Sequence, residues 1–155
     1  MNNKLAVTII RWAIAVPGGI AAWFGANYSI GTTFGFFHGF EVVEEFWDAP
    51  DMNGMPISGT YIILVTRLVA AAALVGMIVY LVPRYHQRVA TIAAALVSVA
   101  ALGFLGFVWF QAGNADLKLG PDGWYRHILD ALSIILGAIF GAWVACGNQR
   151  HRTRA

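Results

Sequence analysis

Charge is what this sequence has least of. Only 12% of its 155 residues are Asp, Glu, Lys or Arg, while 59% are hydrophobic, and the mean hydropathy is +0.66. A soluble domain carries about 25% charged residues. Halving that share leaves too little polar surface to cover a globule, so the composition excludes a water-dissolved domain and predicts one dissolved in lipid. Cysteine is nearly absent as well. Cys146 stands alone, which excludes an internal disulfide, a CxxC redox pair and a zinc site built from thiolates. Catalytic signatures are missing: there is no GxSxG, no HExxH, no P-loop and no paired acids suggesting a pocket, and the chain is expected not to be an enzyme. The few basic residues form no nucleic-acid surface, and a bilayer with anionic lipid accounts for them. The first apolar run has no small-residue cleavage site followed by a polar mature segment, so it is expected to be retained as a helix. The length allows one integral membrane domain over 1–155.

What is present are long apolar runs. Residues 12–34, 60–82, 89–111 and 124–146 are each long enough to cross about 30 Å of hydrocarbon at about 1.5 Å per residue. An unpaired backbone group in lipid costs several kcal/mol, so all four are expected to be α-helices. They are solid and rich in Ala and Leu, unlike the alternating strands of about ten residues that an outer-membrane barrel needs. The expected fold is therefore all-α: a four-helix transmembrane bundle with a short amphipathic segment after the first helix.

The distribution of charge predicts its orientation. Lys4 and Arg11 flank the first span, Arg84 and Arg88 lie in the second connection, and Arg150, Arg152 and Arg154 end the chain. Most acids fall in the other two connections: Glu41, Glu44, Glu45, Asp48 and Asp51 in the first, Asp116 and Asp122 in the third. The positive-inside rule then places both termini in the cytoplasm (N-in, C-in), in what is expected to be a bacterial inner (plasma) membrane. Tyr61, Trp109, Trp124 and Tyr125 fall at the outer ends, and Trp12, Tyr80, Tyr85 and Trp143 at the inner ends, as two interfacial belts. Trp23 lies mid-span and reads as a packing residue. Pro17, Gly18 and Gly19 predict a kink or a looser stretch in the first helix. Residues 36–47 read as amphipathic, with Phe36, Phe37, Phe40, Val43 and Trp47 opposite His38, Glu41 and Glu45. Residues 49–56, with two prolines and an Asn-Gly pair, read as a loop.

Two charges interrupt the spans. Arg67 lies about seven residues inside the outer end of the second and Asp130 about six inside that of the fourth, a similar depth of roughly 10 Å at 1.5 Å per residue. A charge at that depth costs at least ~2.5 kcal/mol, and pairing removes most of the cost. Arg67 and Asp130 are therefore expected to form an intramembrane ion pair, with Arg126, one turn above Asp130, as a competing partner. The pair reads either as an architectural bridge or as part of a proton or ion relay.

Small residues supply a second pattern. Gly31, Gly35 and Gly39 form a double GxxxG, and Gly137 and Gly141 another. Such spacing lets helices approach closely, within the chain or against a partner subunit. His38, Glu41 and Glu45 share one helical face and form a candidate outer cation site, although a solvated acidic face is the favoured reading. No metal is assigned. No cofactor is expected; the haem alternative would use His38 and His127 near the outer surface.

Three functional readings follow: a non-catalytic subunit or accessory factor bound to other integral membrane proteins, a small transporter or ion-conducting oligomer using Arg67 and Asp130, and a haem-binding electron-transfer protein. The orientation is directly testable. With Cys146 replaced by serine, a cysteine at position 53 should react with an impermeant thiol reagent in intact cells while one at position 86 stays protected. The reverse labelling pattern refutes the orientation.

Overall fold

The computed structural model describes residues 3–38, 57–114 and 121–152. They form four α-helices: α1 (Asn3–His38), α2 (Ile57–Leu81), α3 (His86–Asn114) and α4 (Pro121–Arg152). Each contains a stretch long and apolar enough to cross a bilayer, and the protein is an integral membrane bundle. The helices extend beyond the expected spans at nearly every end, because a helix continues into the interfacial region while its backbone bonds are satisfied internally. The segment expected to be amphipathic begins inside α1: Phe36 and Phe37 are exposed on its last turn. Its remainder, and the loop expected over 49–56, lie outside the described residues.

Residue contacts set the arrangement. Arg11 meets Leu81, Gly19 meets Ile78, and Asn27 meets Arg67, so α1 runs antiparallel to α2. Gly137 meets Leu68 and Gly141 meets Ala72, so α4 runs parallel to α2. We call the end holding the N-terminal ends of α2 and α4 the upper end. α2 is central, with α1 on one side and α4 on the other. α3 packs mainly on α4 and less on α2. α1 and α3 thus flank α2, with an open cleft between them.

The interior is built from small side chains. Ala70, Ala71, Val75 and Val79 of α2, Ala93 of α3 and Ala138 of α4 are buried. Large apolar residues such as Phe24, Leu96, Phe107 and Leu136 face outward. This is the reverse of a soluble core. Lipid is as apolar as leucine, so helices associate through close backbone packing rather than by hiding bulk. The α2–α4 contact is the extreme case. A Cβ added at Gly137 would clash with the backbone of Leu68, and one at Gly141 would lie 2.6 Å from the Ala72 carbonyl oxygen. The Gly137/Gly141 stripe is therefore occupied within the chain and is not available to a partner.

Gly18 and Gly19 have a similar role between α1 and α2. A Cβ on either would sit 2.5 Å from Leu81 Cδ1 or Ile78 Cγ1. The helix is continuous through Pro17. The local sequence that predicted a kink is thus also a surface for close approach. Below it, Arg11 donates from Nε to the Leu81 carbonyl at 3.0 Å and from Nη2 to the Tyr80 carbonyl at 3.2 Å. A helix C-terminus leaves its last carbonyls without backbone partners, and a cation there also meets the negative end of the dipole. Arg11, read from sequence only as a topology charge, caps α2. The connection to α3 is short: Tyr85 adopts φ 60°, and its carbonyl accepts from Val89 N at 2.9 Å to begin α3.

These contacts distinguish two sets of glycines. Gly31 has no atom within 4 Å of the position a Cβ would take, whereas Gly141 has no room. Gly141→Leu should therefore lower the thermal unfolding temperature sharply in detergent, by the few kcal/mol typical of overpacking, while Gly31→Leu should leave it within the scatter of wild type. Equal effects of the two substitutions would refute the assigned packing.

Candidate functional site

The upper end of the cleft gathers the polar residues of the spans. Arg67 Nε donates to Asp130 Oδ1 at 3.0 Å, joining α2 to α4. Arg67 Nη1 donates to Asn27 Oδ1 of α1 at 3.4 Å. Asn27 Nδ2 in turn donates to the Trp23 carbonyl at 2.9 Å, which holds the amide with its oxygen toward the arginine. The guanidinium carbon lies 6.0 Å from the centre of the Trp23 ring, at the outer limit of a cation–π contact. One arginine thus links three helices. Arg67 and Asp130 side chains keep 26% and 23% of their exposure, so the bridge lines the cleft and is not sealed beneath it.

The two charges are not level. The Gly137–Leu68 contact sets the α2–α4 register, and Asp130 stands seven residues N-terminal to Gly137, so the Arg67 backbone lies more than a turn below that of Asp130. The long arginine side chain closes the gap by reaching upward, toward the N-terminus of its own helix, as helical side chains lean. Depth counted from hydropathy boundaries does not register this offset, since the boundaries are set by composition and the register by glycine packing.

His127, one turn above Asp130, lies at the cleft wall with its ring 6.4 Å from that of Phe104 in an edge-on arrangement. Trp23 and Ile20 of α1 form one wall, and Val97, Ala101 and Phe104 of α3 the other. The floor is Leu74, Ala131 and Ile134 with the ion pair. This upper cleft has a volume of about 400 Å³. It adjoins a lower cleft of about 490 Å³ between Trp12, Ala15 and Val16 of α1 and Ile92, Ala93 and Leu96 of α3. Ile20, Leu74, Val97 and Ala100 line both.

Several hydroxyls of the described spans return to their own helices. Ser133 donates to the Leu129 carbonyl and Ser98 to that of Ala94. Thr66, buried beside Arg67, is the exception: its hydroxyl has no partner among the described residues.

The remaining sequence candidates separate as follows. Gly35 is buried, Gly31 is open, and Gly39 lies outside the described residues, so the first glycine stripe is not one continuous contact. His38 ends α1, but its side chain, together with Glu41 and Glu45, lies outside the described residues; so does the side chain of Arg126. Among the described residues no three His, Cys, Asp or Glu side chains come together to hold a metal. A haem held by two histidines would need His127 and the undescribed His38 side chain. Sequence reading did not identify Asn27, Trp23 and Phe104 as part of the site. The i, i+4 spacing of Trp23 and Asn27 in α1 was the available signal, but only the packing of α1 on α2 turns that face toward Arg67.

Comparison with family models, curated proteins and solved structures gives no match.

The bridge should behave as a unit. Replacing Arg67 or Asp130 alone by alanine leaves a charge in an apolar setting, and each should destabilise by roughly 3–5 kcal/mol, at the lower end given the partial exposure. The double variant Arg67→Ala/Asp130→Ala should lose less than the sum of the two single losses in thermal unfolding, and additive losses would show that the two residues act independently.

Proposed function

We propose that this protein is a non-catalytic subunit or accessory factor of a larger assembly in a bacterial inner membrane, with other integral membrane proteins as its partners. The observation that carries this reading is the one-sided polarity of the bundle. Asn27, Arg67, His127 and Asp130 gather at the upper end, whereas Ile78, Val82, Val89 and Ile92 line the cleft below them. A self-contained transporter needs polar ligands along the whole crossing to replace the water around its solute. The lower cleft offers hydrocarbon instead. The charges already linked across three helices serve as a bridge that holds the helices together.

The outline of α1 supports a partner. α1 rests chiefly on α2. Ile9, Ile14, Phe24 and Tyr28 are exposed along it, and the open backbone at Gly31 leaves room for another helix. The basic segments flank the lower end, consistent with a cytoplasmic placement of both termini.

Two measurements on wild-type protein test the proposal. Extraction from its own membrane in a mild detergent, followed by native mass spectrometry, should give a complex with other membrane chains at fixed stoichiometry. The pure chain in liposomes should pass no ion or small polar solute above the lipid background. Robust flux abolished by Asp130→Asn would overturn the proposal in favour of the transporter.

A further inference from the structure

The cleft between α1 and α3 has the polarity of an amphipathic ligand. We propose that it binds an isoprenoid quinone, with the ring at Arg67 and Asp130 and the tail running down toward Val82. The inference goes beyond the subunit reading and does not rest on it.

The two clefts share four lining residues and form one groove. It extends from Arg67 in α2 to Val82, just past the end of that helix, roughly 22 Å at 1.5 Å per residue. Each half lies within the range of about 300–1,000 Å³ usual for small-molecule sites. A groove this long and narrow, open along its side to lipid, fits a linear chain better than a compact solute.

The groove's hydrogen-bonding side chains, the Trp12 indole apart, lie at one end. The Arg67 guanidinium and the His127 imidazole both line the wall there. The Asp130 carboxylate accepts from Arg67 Nε through Oδ1. N–H donors suit a quinone carbonyl, and a carboxylate suits the O–H of the reduced form. Below this end the lining is aliphatic apart from Trp12.

Arg67 and Asp130 cancel, so the described charges at the head of the groove sum to zero. An anionic phosphate would find its arginine already neutralised and a carboxylate beside it. A neutral head meets no such repulsion. The walls on either side of this head are aromatic, Trp23 from α1 and Phe104 from α3, which favours a flat ring stacked between or against them. The inference concerns binding only, and no electron transfer is assigned to the chain.

The test uses the whole chain in nanodiscs, titrated with decylubiquinone. Quinones quench nearby indoles, so tryptophan fluorescence should fall saturably, and the unfolding temperature should rise with ligand. Ala100, exposed and common to both clefts, gives a variant that obstructs the groove without entering the core. Ala100→Trp should keep the helical content and stability of wild type and lose the saturable stabilisation. Asp130→Asn should weaken binding about tenfold while the aliphatic groove stays intact. Non-saturable quenching in wild type, or stabilisation unchanged in Ala100→Trp, overturns the proposal. So does a phosphatidylethanolamine or phosphatidylglycerol molecule that stays bound by native mass spectrometry at saturating decylubiquinone, which would make the groove a phospholipid site.

Discussion

Where α4 lies against α2, Gly137 and Gly141 leave no room for a Cβ, and the two backbones meet directly. Gly137 rests on Leu68 and Gly141 on Ala72. In lipid no hydrophobic driving force separates one apolar face from another, so dispersion across such a contact must supply much of the attraction. The register that results is discrete, because a shift of one residue would bring a side chain into the space that the glycine leaves. That register determines which residues of the two helices meet above it. It also holds α2 and α4 parallel, as the shared floor on which α1 and α3 stand.

The Arg67–Asp130 bridge follows from this arrangement. Glycine packing offsets the two backbones by more than a turn, and only a side chain as long as arginine spans the offset. A lysine would bring one charge and a point contact; arginine brings a planar fork that also reaches Asn27 on α1. The bridge is partly exposed to the cleft. Its electrostatic energy is therefore not that of a sealed pair, and the groups around it remain able to meet a ligand. One interaction thus ties three helices and also supplies the polar end of the cleft.

The cleft exists because α1 and α3 attach to opposite sides of the central pair. α1 is held by Gly18 and Gly19 against α2 and by Arg11 across the end of α2. α3 is held by alanines against α4 and α2. A soluble bundle would close such a gap to keep water from apolar surface. Here lipid can enter it at little cost, so the gap can persist and serve as a binding groove or as a seat for a neighbouring helix.

Composition and hydropathy by themselves determined that this chain is an all-α membrane protein with four spans, because the requirement to satisfy every backbone group in lipid acts on length and apolarity alone. The opposite signs of Arg67 and Asp130, and the cost of leaving either alone in hydrocarbon, made both legible as a site before any packing was known. Tertiary structure decided the rest. GxxxG spacing does not say which neighbour a stripe will meet, and it was α2 that took Gly137 and Gly141 while Gly31 stayed open. Arg11 could be counted as a cytoplasmic charge, but its capping of α2 depends on two helices meeting some seventy residues apart in the chain. Trp23 and Asn27 joined the arginine for the same reason. Periodicity reports which residues share a face of one helix, and the direction in which that face turns is set only when helices pack.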